Sequence, residues 1–371
     1  MDCSRARVAG GKRHAAVYGI LCAALFAAML VFPAPCLAGA REGLTLCGDV
    51  IVPSLFPMLA LSTFLIDAGF ARVLGSALER PVRALFGLPG GAAAALALGL
   101  IGGYPVGASA CAGLHRTGEL NKDDAERLLA FCVNSSPAFV IGAVGAGLLG
   151  SPGAGCLIYA AHILSSLAIG LFMRAGHGKS AAMPGGAPRS VKAAGGPQPA
   201  EAFVGSVVSA ASGIVNICAF VVFFSALSAL LTGSGALAYP ALVLGLNEKA
   251  LEAPVRALLE VSNGCAAIAA VTPYGLPAIS VCLSWSGLSV MCQAGSMVRS
   301  EGLSIKRYVL CRIPHMLLSA ALTLILMKLF PAAVPAFSAH AAKLVPASHG
   351  APASAALMII CSLMLMSMLS V

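Results

Sequence analysis

Long stretches without a charged side chain are the feature that most constrains this chain. Residues 128–173 and 202–247 contain no Asp, Glu, Lys or Arg, and only 10% of all residues are charged while 59% are hydrophobic. Soluble domains carry about 25% charged residues. Because a helix needs roughly 20 apolar residues to cross a bilayer, the first run predicts two antiparallel crossings that turn at residues 150–153. We therefore expect an all-α polytopic membrane protein, and exclude a soluble enzyme, a nucleic-acid-binding domain and a disordered tail.

Four further crossings are predicted, at His14–Ala40, Leu46–Ile66, Ile313–Leu329 and Ala351–Val371. The first follows a basic amino-terminal segment, so the amino terminus is expected in the cytoplasm. A cleaved secretory signal that ends near Ala38 is the alternative, but the apolar stretch is long for a signal and favours an uncleaved helix. The second crossing contains Pro53 and Pro57, which predicts that it packs against protein and not against lipid alone.

The chain divides into two halves around a linker. Residues 175–201 are rich in Gly, Pro and Ala with several basic residues, which is typical of a flexible cytoplasmic linker. The predicted organisation is a basic tail with the first transmembrane helix (1–42), a first repeat (43–174), the linker (175–201), a second repeat (202–330), and a carboxy-terminal loop with a last transmembrane helix (331–371).

An internal duplication suggests that the two halves are built alike. Residues 77–85 read ALERPVRAL and residues 250–258 read ALEAPVRAL, which differ at a single position. A second pair of similar segments follows, RTGELN at 116–121 and RSEGLS at 299–304. We expect the ALExPVRAL segments to be short amphipathic helices at the membrane interface.

Each half contains an uncharged stretch that is interrupted near its middle. Ala84–Leu114 contains GGYPVG at 102–107, and Val261–Val298 contains TPYGLP at 272–277 followed by SWSG at 284–287. Each stretch predicts a re-entrant hairpin of two half-depth helices. If the first stretch re-enters, the basic linker stays inside, and the second copy then lies on the opposite side as an inverted repeat. The basic residues at 299–312 count against that arrangement, because it would place them outside.

Interrupted helices in matching positions of two halves indicate the binding site of a transporter. Four places qualify: the first tip, the break before Pro137 that follows a helix capped by Asn121, the polar start of the second stretch, and the tip and return arm of that stretch. The alternatives to a binding role are that the Gly and Pro residues only kink packed helices and that the serines hydrogen-bond the backbone of their own helix. The candidate solute-binding residues are Gly102, Gly103, Tyr104, Pro105, Asn134, Ser135, Ser136, Glu260, Ser262, Asn263, Thr272, Ser284, Ser286 and Gln293.

Half-helix amino termini and free amides favour an anionic group on a small solute. The thirteen cysteines are scattered without a C-x-x-C pair, and the sequence contains no carboxylate pair, P-loop or Rossmann fingerprint. We expect no catalytic residue, metal, cofactor or nucleic-acid partner. The expected partners are a small-molecule solute and the lipid bilayer, with a coupling ion and a homo-oligomer left open.

Three segments resemble a known family: VIVPSLFPMLALSTFLIDAGF, GLIGGYPVGASACAGLHRTGELNKDDAERLLAFCVNSSPAF and GLSVMCQAGSM. They are similar to sporulation membrane proteins of the nucleoside-recognition (Gate) family, over about Gly43–Phe330. The resemblance implies a fold like that of concentrative nucleoside transporters, a place in the cell membrane that includes the forespore membrane, and a role in endospore formation and cortex assembly. It also implies transport of dipicolinic acid. The alternatives are a non-transporting protein that organises cortex assembly and a nucleoside transporter.

Overall fold

The computed structural model describes residues 19–20, 22–67, 70–116, 118–175, 199–271 and 275–331. The regular elements in these ranges are helices, without a β-strand. The α-helices are α1 (Cys22–Val31), α2 (Pro33–Leu46), α3 (Val52–Asp67), α4 (Phe70–Phe86), α5 (Gly91–Gly102), α6 (Tyr104–Arg116), α7 (Lys122–Cys132), α8 (Pro152–Ala175), α9 (Pro199–Gly233), α10 (Ala238–Leu244), α11 (Glu248–Leu259), α12 (Val261–Val271), α13 (Leu276–Trp285), α14 (Gly287–Arg299) and α15 (Lys306–Leu329). Two π-helices, π1 (Cys47–Ile51) and π2 (Ala138–Leu148), complete them.

Several of these helices are long and apolar enough to cross a bilayer. Pro152–Arg174, Phe203–Gly233, Leu276–Arg299 and Lys306–Leu329 each satisfy both criteria, and two bent helix pairs satisfy them together. The all-α polytopic membrane fold is as predicted. The expected carboxy-terminal crossing at 351–371, the linker at 176–198 and the basic tail before residue 19 lie outside the described residues.

The predicted first crossing at His14–Ala40 differs over its described part. α1 and α2 are bent by 98° at Phe32. Pro33 begins α2. Because proline has no backbone N–H, it cannot continue the hydrogen bonding of the preceding helix, and it is well tolerated at the first position of a new one. The stretch is therefore two helices joined at a corner, and not a single straight crossing.

From Pro33 to Asp67 the helix continues through π1 and packs against α9, despite Pro53 and Pro57. Small residues allow the close approach, since Gly39 and Gly43 lie against the backbone and side chains of α9 around Ser225. The Cys47 thiol lies 3.9 Å from the Cys218 carbonyl oxygen farther along the same contact. The expectation that this proline-containing helix packs against protein is confirmed.

α5 and α6 form the first re-entrant hairpin, with its tip at Gly103. At 12 and 13 residues and 1.5 Å per residue, each arm is about 20 Å long and too short for a hydrocarbon core of about 30 Å. The chain reverses at Gly103, where φ is +88°, a value that favours glycine. Gly99 and Gly107 then face each other across the two arms, and a Cβ on Gly107 would lie 3.1 Å from the Gly99 Cα.

The second hairpin is formed by α11 and α12, with its tip at Glu260. A Cβ on Gly264 would collide with the backbone of Ala257, so the two arms pack closely on either side of the tip. The predicted hairpin over Val261–Val298, with its tip at 272–277, is therefore wrong in register. Residues 272–274 of the predicted tip lie outside the described residues. α12 ends at Val271 and α13 begins at Leu276, and α13 with α14 makes one 24-residue crossing that is interrupted at Ser286.

The interrupted crossing α13–α14 shows that the hairpins enter from opposite ends. Its α14 half begins beside the second tip, where Gly287 lies against the Val261 amide, and runs along α6, with Ser109 Oγ 3.5 Å from Met297 Sδ. Its α13 half packs on α12, where the Cys282 thiol reaches the Val261 carbonyl oxygen at 3.6 Å. The first hairpin thus flanks one half of the crossing and the second hairpin flanks the other.

The same order of elements therefore occurs twice with opposite direction. The hairpin α5–α6 corresponds to the hairpin α11–α12. The broken helix α7–π2 corresponds to the broken helix α13–α14, and the crossing α8 corresponds to the crossing α15. The duplicated sequences do not mark this symmetry, because the first ALExPVRAL copy lies in α4, before its hairpin, and the second copy is an arm of the second hairpin. The expected equivalence of these two segments is wrong, although the inverted arrangement holds.

The RTGELN and RSEGLS segments lie at one end of the bundle. Arg116 pairs with Glu301 at 3.8 Å, Arg307 pairs with Asp123 at 2.6 Å, and the Ser304 amide donates to Glu126 Oε1 at 2.9 Å. The last turn of α8, which leads into the linker, is at the same end, since the side chain of Arg174 lies beside Gly87. The basic residues at 299–307 thus lie at the same end of the bundle as the start of the linker. Their charge therefore no longer counts against the inverted arrangement.

Replacement of Gly107 by Leu is expected to disrupt the first hairpin. The added side chain would meet the Cys132 carbonyl oxygen and the Gly99 Cα, and overpacking of this kind costs about 1–3 kcal/mol or more. The check is the melting temperature of the purified protein in detergent, with Gly113→Leu on the same helix as the matched control because nothing lies within 4 Å of its Cβ position. Equal melting temperatures for the two variants would contradict the hairpin packing.

Candidate functional site

A pocket lies where the two hairpin tips meet the interrupted helices. Its volume is about 60 Å³, counted as the space available to the centres of water molecules. One wall is apolar and is contributed mainly by α3 and α9, and the other carries the polar groups of the tips and breaks. The lining residues are Ile51, Leu55, Leu59, Gly102, Gly103, Tyr104, Pro105, Ser135, Ser136, Phe139, Ile217, Val221, Glu260, Val261, Ser262, Val290 and Gln293.

The pocket brings together most of the residues that the sequence singled out. Those that line it are Gly102, Gly103, Tyr104, Pro105, Ser135, Ser136, Glu260, Ser262 and Gln293. Asn134, Asn263, Ser284 and Ser286 are buried next to it without lining it. Thr272 lies outside the described residues. Their role in binding a solute stays a prediction.

The first tip is fixed to the second broken helix. The Tyr104 hydroxyl donates to the Leu283 carbonyl oxygen at 2.7 Å, an acceptor in the last turn of α13 that the break before Ser286 leaves without an intrahelical partner. Gly103 packs against Ser136 of the first break, where a Cβ would lie 3.2 Å from the Ser136 Cβ. The tip therefore contacts both interruptions at once.

The first interruption covers Val133–Ser136, ahead of Pro137, as predicted. The Asn134 amide nitrogen donates to the Phe131 carbonyl oxygen at 2.7 Å and to Ser166 Oγ at 2.9 Å. Ser136 Oγ accepts from the Phe139 amide at 3.2 Å. Asn134 thus satisfies the end of its own helix from behind the pocket wall, which gives it a local structural role.

Glu260 occupies the second tip with extended backbone, and it is buried. Its Oε2 accepts a hydrogen bond from the Asn263 amide at 2.7 Å, the arrangement by which a side chain caps the first turn of a helix. Asn263 in turn donates to Ser225 Oγ at 2.5 Å, which ties the tip to α9. The segment predicted as the polar start of the second stretch is therefore the tip of its hairpin.

Arg312 on α15 joins the two broken helices behind the pocket. Its guanidinium donates to the Ala130 carbonyl oxygen at 2.7 Å, to Val133 at 3.4 Å and to Ser284 at 3.5 Å. It also lies 4.5 Å above the centre of the Tyr308 ring, a favourable position for a cation. A cation at two helix carboxyl ends is stabilised by both helix dipoles, so Arg312 acts as a brace between the interruptions.

Two histidines extend this buried network. His162 Nε2 accepts from the Ser135 amide at 3.2 Å, so that nitrogen carries no proton, and Nδ1 lies 3.3 Å from Ser284 Oγ. His315 Nε2 donates to the His162 carbonyl oxygen at 3.0 Å, and the two rings are 4.6 Å apart. From the sequence, Arg312 and His315 near the start of the predicted Ile313–Leu329 crossing are weaker candidates than the tips, and His162 is not a candidate. A polar residue inside an apolar run is the signal that points to all three.

No cluster of three or more His, Cys, Asp or Glu residues that could hold a metal ion occurs in the described ranges. The pocket therefore offers hydrogen bonds and one carboxylate, together with apolar surface. Such a lining can bind and orient a small polar solute.

Comparison with known proteins covers the part of this site that the first half of the chain contributes. Residues 50–152 match the Gate family, described as nucleoside recognition. The match covers the first hairpin and the first interruption, a shorter range than the resemblance over 43–330 anticipated. No solved structure matches the chain.

A curated relative is 37% identical over 150 residues. It is the sporulation integral membrane protein YlbJ of Bacillus subtilis (strain 168), and the alignment covers 40% of this chain and 37% of the relative. The chain therefore aligns with well under half of that protein's length. Together with the apolar helices, this similarity makes the protein an integral, multi-pass membrane protein.

Replacement of Arg312 by Met is expected to destabilise the protein. It leaves three buried carbonyl oxygens without donors, which costs on the order of 3 kcal/mol or more. Thermal unfolding in detergent measures the loss, with Lys328→Met at the exposed end of the same helix as the control. Arg312→Lys keeps the charge and should recover part of the loss, since an ammonium cannot span three carbonyls on two helices. Similar melting temperatures for R312M and K328M would contradict the brace.

Proposed function

We propose that this protein is a membrane transporter that carries a small polar solute through a pocket between two inverted hairpins. The single observation that carries the proposal is that both tips, the first helix interruption and the α14 half of the second broken helix border one pocket. Non-helical backbone at membrane depth is tolerated where it lines a cavity or is buried in protein. Transporter sites typically lie where the interrupted helices of two inverted repeats meet near the middle of the membrane.

The proposed setting is spore formation, and the proposed solute is dipicolinic acid. Support for the setting comes from the relative, whose name assigns it to sporulation and to the membrane. Dipicolinate is a flat ring with two acidic groups, so its ring can face the apolar wall of the pocket while its polar groups face the tips. We place the protein in the cell membrane of the sporulating cell, including the membrane around the forespore.

A nucleoside is the second candidate solute. The description of the matched family favours it, and so does a lining with a carboxylate, an amide and several hydroxyls, which can bind sugar hydroxyls. A non-transporting role in organising cortex assembly is the rival from a different class, and flux measurements separate it from both transport proposals.

We also propose that the end of the bundle with Arg116, Arg174, Arg299 and Arg307 faces the cytoplasm. Basic residues in short loops remain on that side, and the linker at 175–201 begins there. The proposed division places the two transport repeats at 43–174 and 202–330, and the amino terminus in the cytoplasm.

Vesicles that contain the purified protein are expected to take up labelled dipicolinate faster than protein-free vesicles. Gln293→Leu should reduce the uptake at least about tenfold, because a lost hydrogen bond in a desolvated site costs about 1–3 kcal/mol. Cys292→Leu is the matched control, since Cys292 is the exposed neighbour on the same helix. Uptake of uridine but not dipicolinate would support the second candidate. Absence of flux for both solutes would overturn the transporter proposal.

A further inference from the structure

Glu260 is the only Asp, Glu, Lys or Arg among the described residues that line the pocket. The lining contains neither Lys nor Arg, and the guanidinium of Arg312, the nearest cation described above, is directed at backbone carbonyls behind the wall. A free dicarboxylate in this pocket would therefore meet a carboxylate and no cation. Like charges that are brought together in a site of low dielectric repel strongly.

The position of the Glu260 side chain is fixed by the tip. The Asn263 amide binds one carboxylate oxygen at 2.7 Å, and Asn263 is itself held by Ser225 Oγ. The carboxylate thus lies on the first turn of α12, where the positive end of the helix dipole stabilises it. It cannot withdraw from the pocket unless the cap of the tip is broken.

Ser135 supplies a second, independent feature of the same lining. It is fully buried, and its Oγ has no hydrogen-bond partner within 3.5 Å among the described residues, although the Tyr104 hydroxyl interacts with it. A buried hydroxyl without a partner is costly in a folded protein and points to a ligand. The lining therefore offers an acceptor on one tip and an incompletely satisfied hydroxyl on the opposite interruption.

We propose that the pocket selects a solute that presents a hydrogen-bond donor to Glu260, so that an organic acid is bound with its proton and not as the free dianion. The inference rests on the transport function proposed above and specifies its solute. The proton travels on the solute, and Ser135 Oγ binds a second polar group of the same molecule. A neutral solute with amide or hydroxyl donors satisfies the same lining.

The test compares two probes of equal shape, pyridine-2,6-dicarboxylate and its neutral diamide, by calorimetry at neutral pH on the full-length protein. The wild-type protein is expected to bind the diamide at least about tenfold more tightly, because only the diamide donates to the carboxylate without charge repulsion. Glu260→Gln should shift the ratio of affinities at least about tenfold towards the dicarboxylate. Glu252→Gln, on α11 and outside the pocket lining, is the matched control.

Gln293→Glu provides a second variant in case Glu260→Gln does not fold. It adds a carboxylate to the lining and should weaken dicarboxylate binding further while it spares the diamide. Tighter binding of the dicarboxylate than of the diamide by the wild type, or an unchanged ratio in E260Q, would overturn the inference but leave transport intact. Absence of binding by both probes together with absence of dipicolinate and uridine flux would instead overturn the proposed function.

Discussion

The structure depends on the satisfaction of backbone groups where helices are interrupted inside an apolar bundle. Each interruption leaves carbonyl oxygens without intrahelical donors, in a medium where water cannot replace them. Side chains provide the donors: Asn134 for Phe131, Tyr104 for Leu283, and Arg312 for both broken helices. The bonds of Tyr104 and Arg312 cross from one repeat to the other, so the arrangement that satisfies the breaks also holds the two repeats together around the pocket.

The two hairpin tips solve the same problem in different ways. The first uses Gly103 with positive φ, which lets the chain reverse without a side chain in the way. The second uses Glu260 in extended conformation, whose carboxylate caps the following helix. One tip is therefore neutral and compact, and the other brings a charge into the pocket, so the two sides of an inverted repeat become chemically unequal.

Much of the first repeat could be predicted from the sequence. The tip at GGYPVG and the break before Pro137 both lie where they were expected. Each is caused by Gly or Pro acting on the adjacent backbone, so no distant contact is needed to predict it. The second tip was misplaced because Pro and Gly, as in TPYGLP, are typical of helix connections as well as of re-entrant tips. The signal at the true tip was a glutamate followed by Ser262 and Asn263, a capping pattern, and it was interpreted as the start of an arm.

The buried brace could be predicted only in part. Arg312 and His315 stand out as polar residues early in an apolar run, whereas the role of His162 depends on a contact with Ser135 that no local pattern encodes. The duplicated ALExPVRAL segments were misleading for a related reason. Their proline and charge spacing suits any short amphipathic helix, and the structure uses one copy beside a hairpin and the other as a hairpin arm.

The central claim is that the hairpins enter from opposite faces of the membrane. It is tested most directly by single cysteines at Lys122, beside the base of the first hairpin, and at Lys249, at the base of the second, each labelled in intact cells with a membrane-impermeant maleimide. Lys249→Cys is expected to react from outside, and Lys122→Cys only after the membrane is permeabilised. Labelling of both positions from the same side would contradict the inverted arrangement and the shared pocket that depends on it.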